Sequence, residues 1–394
     1  MILKIEKFLF YLFLFLIPFQ FRIFLYSATN EWNSIFLYLG DLIFIAVLIL
    51  ALLRKGIRFE KKDIFLILFV AIAGISLFAT SNLGVSAYRF IKLLEFVFLY
   101  IYIRALFGPK APSVLGPRTN IVKIFVLGGV FQAILAIAQF IKQGSIGIKF
   151  IEAGIFSPDS PGVANFILNG ERIMRSYGSF PHPNVLAAFL LLAIFAFYAL
   201  WLKRLIRPIS PISLIGPILI FALFLTFSRT AIVVFGVMTL IFFLIELFKT
   251  RCQSTNDARM IRMKIIKLFG LVIVSCVLVI AILFPYIKAR FFTISMEEQA
   301  VDLRFFYNKM AIQMIKEKPM LGVGIGNFVN YSRNYPAYVR AASKMLGLNT
   351  IPDWIYQPVH NIYLLIASEI GILGVLMFLI FLAANFWRSN LLKE

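Results

Sequence analysis

Two arginines and one histidine in this sequence have the side chains and the positions to do chemistry. Arg229 lies between two apolar runs in the segment FSRTAIVV, with almost no loop around it. Arg304 begins a helical stretch, where the helix dipole favours an anion. His360 follows Pro358 and directly precedes the last apolar run, and the pKa range of imidazole suits proton transfer. Because guanidinium groups bind phosphates well, these residues point to a phosphate-bearing substrate.

Each of these residues also has a purely structural interpretation. Arg229 can be an anchor that extends its side chain to the lipid headgroups, and Arg304 can be a solvated cation beside Asp302. A lone histidine is more often structural than catalytic, and His182, between two prolines in GSFPHPNVLAAF, is expected to be structural. The two histidines lack a nearby Cys or Asp/Glu cluster, so we expect no metal site.

The elements that position these residues must be membrane helices. The 394 residues are 61% hydrophobic and 14% charged, against about a quarter charged in soluble domains, so lipid must solvate most of the chain. The formal net charge of +21 could suggest nucleic acid. The basic residues, however, lie in short loops between apolar runs, where positive charge sets membrane orientation. We therefore expect no nucleic-acid partner.

Windows of about 20 apolar residues predict ten transmembrane helices in one all-α polytopic domain over residues 1–394. Lys4 and Lys7 precede the first run as in a signal peptide, but no small-residue cleavage site ends that run. We therefore interpret it as the first transmembrane helix. The predicted spans are residues 7–26, 35–53, 64–80, 88–107, 122–141, 184–202, 211–228, 230–248, 265–284 and 361–386.

Charge in the short loops predicts the orientation of these spans. The connections 27–33 and 81–87 contain no Lys or Arg, so both termini are predicted to be cytoplasmic. The long connections 142–183 and 285–360 then face outward, and residues 301–318 form an amphipathic helix along the membrane surface. The cytoplasmic basic residues are Arg54, Lys55, Arg58, Lys61, Lys62, Lys110, Arg118, Lys203, Arg204, Arg207, Lys249, Arg251, Arg259, Arg262, Lys264 and Lys267.

A glycine run formed by Gly322, Gly324 and Gly326 is similar to a dinucleotide-binding fingerprint. It follows a helix rather than a strand and lies on the predicted outer side, so we expect no nucleotide cofactor. The glycines are instead expected to let a tight loop pack beneath the helix, with Asn327 satisfying backbone groups.

Charged residues also enter the fourth predicted span. Tyr88, Arg89, Lys92 and Glu95 follow one another at helical spacing, and Asp41 lies near the outer end of the second span. Charges at such depth are costly. They form either a buried set of ion pairs that stabilises the bundle or a basic wall for an anionic lipid headgroup.

Two arginines and a histidine on one face suit a reaction on a phosphate-bearing lipid outside the cytoplasm. A pyrophosphate leaving group needs charge neutralisation, and the attacking hydroxyl needs a proton acceptor. A flippase or transporter of lipid-linked glycans is the competing class, and it would spread ionisable residues through a central cavity at several depths. A structural scaffold is a third alternative. The clustering of the cations at one face favours the enzyme.

Three motifs carry a family resemblance. They are SRTA after a hydrophobic helix, RFFYNKMAIQMIKEKPMLGVGIGNF in the long outer loop, and HNIYLLIASEIGILG at the last span. The softer motif RSYGSFPHPNVLAA precedes a middle span. Together they resemble the O-antigen ligase and O-antigen polymerase superfamily of bacterial membrane glycosyltransferases. The resemblance implies metal-independent, inverting transfer of a glycan from a polyprenyl pyrophosphate carrier. The acceptor would be a glycan, lipid or protein hydroxyl at the outer face of the cytoplasmic membrane.

The resemblance also implies roles for individual residues. Arg229 and Arg304 match the pyrophosphate-binding arginines, His360 matches the proposed general base, and Asn361 matches its usual neighbour. Family members often have about twelve spans, more than the ten predicted here. The motifs do not separate ligase from polymerase, and we prefer polymerase because such enzymes occur in many surface-polysaccharide systems. Further candidates for substrate contact are Arg89, Asn327 and Asn361.

Overall fold

The computed structural model describes residues 2–19, 21–54, 57, 59–107, 118–148, 151, 152, 154–160, 162–202, 211–251, 256–292 and 297–388. Over these residues the protein forms fourteen α-helices and two short antiparallel hairpins. The predicted all-α class is confirmed. Six of the basic residues that were used to predict orientation lie outside the described residues: Lys55, Arg58, Lys110, Lys203, Arg204 and Arg207.

The elements follow one another in a simple order along the chain. The helices are α1 (Ile2–Leu16), α2 (Leu39–Leu53), α3 (Ile64–Ile75), α4 (Leu83–Phe107), α5 (Arg118–Lys142), α6 (Pro183–Leu202), α7 (Ile215–Leu225), α8 (Arg229–Arg251), α9 (Asn256–Phe292), α10 (Glu297–Glu317), α11 (Phe328–Ser332), α12 (Pro336–Met345), α13 (Ile362–Ile370) and α14 (Ile372–Arg388). Strand β1 (Arg22–Tyr26) pairs with β2 (Ile35–Tyr38), and β3 (Asn165–Leu168) pairs with β4 (Glu171–Met174).

Several of the described helices have the length and composition of membrane spans. Four are long and apolar enough to cross a bilayer, and they lie in α5, α6, α8 and α9. Helices α2, α7 and α14 are apolar but shorter, and α3 continues as a short 3-10 turn to Ala79. The protein is therefore a polytopic membrane protein, and the total of ten spans stays a prediction.

The predicted first and second spans are wrong at their shared connection. Helix α1 ends at Leu16, and the residues assigned to the end of the first span form β1. The residues assigned to the start of the second span form β2. Both strands are rich in aromatic and β-branched residues, which are hydrophobic but favour a pleated strand over a helix. Hydropathy alone does not separate these two outcomes.

Two other predicted spans end differently in the structure. Helix α9 continues through Pro285 to Phe292, eight residues beyond the predicted end at 284. The last predicted span, residues 361–386, is broken into α13 and α14 at Gly371, whose φ of 88° is in the left-handed region. Only glycine adopts that conformation readily, so the helix cannot continue through this residue unbroken.

The fold divides into two compact units. In the first, α5 packs against α1, α6 and α7, and α9 packs against α7 and α8. Helices α5 and α6 approach so closely that a Cβ on Gly129 would lie 2.6 Å from the Cβ of Ala193. Small residues permit such contacts in membrane bundles, where packing holds the helices together. The first unit comprises Met1–Phe21, Leu42–Val47 and Pro112–Ile294.

In the second unit, α10 packs against two shorter helices. Helix α10 contacts α12 and α13, and α14 packs against α3. Tyr307 and Met314 of α10 belong to a buried apolar cluster with Phe328 and Val359. This cluster fixes the buried face of α10 and the chain just before α13. The second unit comprises Arg22–Asp41, Leu48–Ala111 and Ser295–Glu394.

Candidate active site

Helix α10 and the segment before α13 bring Arg304 and His360 into one neighbourhood in the second unit. Arg304 is exposed on α10. Tyr307 lies three residues later, and its ring meets the His360 imidazole edge to face, with the centroids 6.0 Å apart and the ring planes inclined by 76°. Helix α10 therefore presents both a cation and an aromatic support to the histidine. The helix begins at Glu297, seven residues before Arg304, so the prediction that Arg304 lies at the helix N-terminus is wrong, and the helix dipole does not assist anion binding at this residue.

Two effects lower the pKa of His360. The surrounding protein disfavours the charged imidazolium, although the side chain still has a solvent-exposed surface. The positive charge of Arg304 adds electrostatic repulsion. Both effects keep the imidazole neutral at neutral pH, and the neutral ring can accept a proton.

Tyr307 is itself fixed by the backbone that leads to His360. Its hydroxyl donates a hydrogen bond to the carbonyl oxygen of Ile355, with the two oxygens 2.7 Å apart. The side chain is 3% exposed, and burial raises the pKa of the hydroxyl to about 12. The hydroxyl therefore stays protonated and keeps this bond over the physiological pH range.

Asn361 begins α13 as its N-cap. Its side-chain oxygen accepts hydrogen bonds from the backbone N–H groups of Tyr363 and Leu364, at 3.0 and 3.2 Å. These bonds satisfy two of the donors that the first turn of a helix leaves unpaired. Asn361 thus fixes the helix that starts directly after His360, and its contact with a substrate stays a prediction.

The loop between α10 and α11, residues 319–327, is folded against the end of α13. The N–H groups of Val323 and Gly324 donate to the carbonyl oxygens of Ser368 and Glu369, at 2.8 and 2.9 Å. Gly322 has a φ of 63°, and a Cβ there would lie 2.4 Å from the carbonyl carbon of Glu369. The prediction that these glycines permit a tightly packed loop is confirmed. We call residues 319–327 the glycine loop.

Asn327 is fully buried at the end of the glycine loop. Its amide nitrogen donates to the carbonyl oxygen of Val323 at 2.7 Å, and its side-chain oxygen accepts from the Ser81 hydroxyl at 3.0 Å. The expectation that Asn327 satisfies backbone groups is confirmed. Both ends of the amide are bonded inside the protein, and a contact between Asn327 and a substrate stays a prediction.

Glu369 is a buried acid that the sequence interpretation did not single out. Its two carboxylate oxygens accept hydrogen bonds from the N–H groups of Gly326 and Phe328, at 2.8 and 3.1 Å. The Arg89 guanidinium interacts electrostatically with the same carboxylate. The available signal was an acid inside the apolar run IYLLIASEIGILG, because ionisable residues are costly there and usually have a function.

Arg89 and its charged neighbours make separate contacts. The Arg89 guanidinium donates to the carbonyl oxygen of Trp32 at 2.8 Å. Lys92 is paired with Glu95 at 3.0 Å and also with Asp41. Two interpretations of these charged residues were predicted, a set of ion pairs or a basic wall for a lipid headgroup. The contacts of Lys92 agree with the set of ion pairs. A contact between Arg89 and a substrate stays a prediction.

Arg229 is the first residue of α8 and belongs to the first unit. Its side chain is half-buried, donates a hydrogen bond to the carbonyl oxygen of Arg290, and lies with its guanidinium carbon 5.5 Å from the centre of the Phe291 ring. Both partners belong to the part of α9 that extends beyond its predicted end. The extension of α9 therefore positions this guanidinium.

The turn before Arg229 is held by a second arginine that sequence reasoning did not assign. Phe227 is fully buried with a φ of 45°, a left-handed conformation that is uncommon for a large side chain. Arg175 stabilises this turn, because its Nε donates to the carbonyl oxygen of Thr226 at 2.7 Å and another guanidinium nitrogen donates to Asn184 at 2.7 Å. In the sequence, the signal for Arg175 was its place as the first residue of the RSYGSFPHPN motif.

His182 makes local contacts that agree with the expected structural role. Its Nδ1 accepts a hydrogen bond from the N–H of Asn184 at 3.1 Å. Its carbonyl oxygen accepts from the N–H groups of Val185 and Leu186, at 3.0 and 3.3 Å. These contacts make His182 part of the start of α6.

In the second unit, Arg304 and His360 supply a cation that can bind an anion and an imidazole that can accept a proton. In the first unit, Arg229 supplies a guanidinium that can also bind an anion. Within the described part of the chain, no group of three or more His, Cys, Asp or Glu side chains is placed to hold a metal ion.

Comparison with known proteins identifies the segment that contains these groups. Residues 214–379 match the family described as O-antigen ligase. The matched segment includes Arg229, Arg304 and His360. No curated protein and no solved structure matches the chain. The match supports the resemblance of residues 214–379 to the O-antigen ligase and polymerase superfamily.

Proposed function

We propose that this protein is a membrane glycosyltransferase that moves a glycan from a polyprenyl pyrophosphate donor to an acceptor hydroxyl. The main support is that Arg304 lowers the pKa of His360 within a segment that matches the O-antigen ligase family. A cation that attracts the pyrophosphate and a base that accepts the hydroxyl proton are the two groups that this transfer needs.

In the proposed reaction, His360 removes the proton from the acceptor hydroxyl while that oxygen attacks the anomeric carbon of the donor sugar. A new glycosidic bond forms as the bond between the anomeric carbon and the pyrophosphate oxygen breaks. The electron pair of that bond leaves with the polyprenyl pyrophosphate. A single displacement of this kind inverts the configuration at the anomeric carbon. The proton stays on His360 until it passes to solvent.

The arginines stabilise the charge that develops on the leaving group. Arg304 is exposed near His360, and its fork of N–H donors can bind phosphate oxygens in a bidentate manner. We propose the same role for Arg229 at the start of α8, where unpaired N–H groups of the helix also favour an anion. Because guanidinium charge meets this need, the proposed reaction uses no metal ion.

We place the reaction at the outer face of the bacterial cytoplasmic membrane, with both chain termini in the cytoplasm. The charge pattern of the short connections supports this orientation. The acceptor is a glycan, lipid or protein hydroxyl. Polymerase and ligase activities share the same donor chemistry, and the polymerase of a surface polysaccharide is our preferred assignment.

The test is the glycan profile of a deletion strain that carries either wild-type protein or His360→Ala at equal membrane abundance. We expect His360→Ala to lose the polymer or ligated product and to accumulate carrier-linked precursor on the outer leaflet. His182→Ala is the matched control, because it removes the other histidine, which belongs to the start of α6. The control should restore the profile.

Two outcomes would contradict the proposal. A normal profile with His360→Ala would remove His360 from the reaction. Precursor trapped on the inner leaflet of the deletion strain would indicate a flippase, because a transferase acts only after the donor has crossed the membrane.

A further inference from the structure

The carboxylate of Glu369 connects two segments that are distant in sequence. It accepts hydrogen bonds from the backbone N–H groups of Gly326 and Phe328, the first of which lies 43 residues away along the chain. Each of the two carboxylate oxygens accepts one of these bonds, so the side chain joins both N–H groups at once. We call Glu369 and these two N–H groups the carboxylate clamp.

The same two segments are joined at a second place. The N–H of Ile372 donates to the carbonyl oxygen of Pro319 at 2.9 Å, just where α10 passes into the glycine loop. The fit is close, because a Cβ on Gly371 would lie 2.0 Å from the carbonyl oxygen of Met320. The end of α10 is therefore fixed to the end of α13.

Arg304 and Tyr307 lie on α10, and His360 lies just before the N-cap of α13. Tyr307 contacts His360 directly, and Arg304 precedes Tyr307 by less than one helical turn. Because helices are stiff, a shift of α10 relative to α13 at this junction changes the distances of Arg304 and Tyr307 from His360. The contacts at residues 319–328 and 368–372 consequently set the geometry at His360.

We propose that Glu369 is a positioning residue: its carboxylate clamp fixes α10, with Arg304 and Tyr307, against His360. The effect of Glu369 on catalysis rests on the proposed glycan transfer. Its effect on the position of α10 relative to His360 does not depend on that proposal. Glu369 acts through the backbone of the glycine loop and through α10. It is distinct from the three residues proposed to touch the substrate.

A glutamate suits this position better than its neutral amide. Two carboxylate oxygens satisfy two N–H donors, whereas glutamine offers one acceptor and would present an NH2 group to the second donor. A buried N–H that loses its partner costs about 1–3 kcal/mol. The Arg89 guanidinium offsets part of the cost of burying the carboxylate charge.

The test is the pKa of His360 in full-length protein in detergent, measured by NMR on ring-labelled histidine. The chain has only two histidines, and the loss of one signal in His360→Ala assigns both. The charged and titratable groups that face His360 on α10 are Arg304 and Tyr307. If Glu369→Gln displaces α10, the repulsion from Arg304 weakens and the pKa of His360 rises, while that of His182 stays unchanged.

Lys316→Gln is the matched control, because it removes an exposed charged side chain at the end of the same helix. It should leave the pKa of His360 unchanged. An unchanged pKa in folded Glu369→Gln would overturn the proposal. If Glu369→Gln does not fold, Glu369→Asp replaces it, because its shorter carboxylate cannot reach both donors in the same way. A raised pKa in Glu369→Asp supports the proposal, and an unchanged one overturns it.

A kinetic measurement separates this inference from the proposed function. In glycan transfer, Glu369→Gln should lower kcat by up to about a hundredfold, the loss that a misplacement of about 1 Å can cause. The KM for the donor should change much less. A shifted pKa of His360 in a protein whose wild type transfers no glycan would support the positioning role and reject the proposed reaction.

Discussion

The ring of Tyr307 meets the imidazole of His360 edge to face, with the ring centroids 6.0 Å apart and the planes inclined by 76°. Such an arrangement directs the positive edge of one ring toward the negative face of the other. Because the Tyr307 hydroxyl is bonded to the backbone at Ile355, the position of the tyrosine is determined by the same segment that ends in the histidine.

Tyr307→Ala should lower glycan transfer at least tenfold, because it removes the ring against which the imidazole is oriented. Tyr307→Phe keeps that ring and loses one hydrogen bond, which is worth about 1 kcal/mol of stability. It should therefore retain most of the activity and lower the melting temperature by a few degrees. Initial rates and thermal unfolding of the purified proteins measure both effects. Equal losses of activity in the two variants would show that the ring contact is unimportant.

Arg304→Ala should shift the acid limb of the pH–rate profile to higher pH. The Arg304 charge lowers the pKa of His360, so its removal raises that pKa, and a higher pH is then needed to keep the imidazole neutral. The loss of leaving-group stabilisation should also lower kcat by about 10²–10³. Lys309→Ala, which removes another exposed cation of α10, is the control. An Arg304→Ala profile that keeps the wild-type limb would contradict the electrostatic coupling.

Arg229→Lys should lower kcat although it keeps the charge. An ammonium group lacks the planar fork with which a guanidinium can bond the Arg290 carbonyl and a phosphate oxygen together. We expect a loss of about tenfold to a hundredfold, and a larger loss in Arg229→Ala. Arg259→Lys, on an exposed position of α9, serves for comparison. Wild-type turnover in both Arg229 variants would exclude a role for this residue in the reaction.

Asn361→Ala should destabilise the start of α13 by about 1 kcal/mol, the usual loss when a side-chain cap is removed. Asn361→Asp keeps an oxygen that can cap the helix and should preserve stability. Activity then tests the predicted substrate contact. If Asn361 acts only as a cap, the aspartate variant is active, and if its amide nitrogen binds substrate, that variant is inactive but stable. Thermal unfolding and transfer rates of the two variants distinguish these results.

Chelation of divalent ions should leave glycan transfer by the purified protein unchanged, because the proposed mechanism neutralises pyrophosphate with arginine side chains. The measurement compares initial rates in EDTA with rates in added Mg²⁺ or Mn²⁺. A strict requirement for a divalent ion would reject the metal-free mechanism and would call for a metal-assisted one.

The amphipathic helix of the long connection was predictable from sequence. Apolar residues at three- and four-residue spacing predicted a helix over residues 301–318, and α10 covers Glu297–Glu317. The period of an amphipathic helix is a local property of the chain. Tertiary contacts are not needed to recognise it, so the prediction agrees with the structure to within a few residues.

Uniformly apolar segments were less predictable. Hydropathy assigned the residues of β1 and β2 to membrane helices, whereas in the structure they pair as a hairpin. The connection between the two strands is bonded to residues distant in sequence. The side-chain nitrogen of Asn30, for example, donates to the carbonyl oxygens of Asp353 and Tyr356, at 2.7 and 2.9 Å. Such contacts select a strand where hydrophobicity permits either structure.

The site was predictable by residue type rather than by arrangement. Arg304 and His360 were chosen for their chemistry, and in the structure the charge of Arg304 contributes to lowering the pKa of His360. Asn327 was also chosen, yet its amide is used inside the glycine loop. Glu369 was missed although an acid inside an apolar run is itself a signal, because its partners are backbone N–H groups that the sequence does not identify.

The contacts of the glycine loop have a consequence for the order of events during biosynthesis. A chain is made and inserted from its N-terminus, so α10 and the glycine loop leave the ribosome before Glu369 and Ile372 exist to bind them. The neighbourhood of Arg304 and His360 can therefore be completed only after α13 has been translated and inserted. Until then the nascent chain lacks an assembled site, and a truncated product that stops before α13 would be inert rather than partly active.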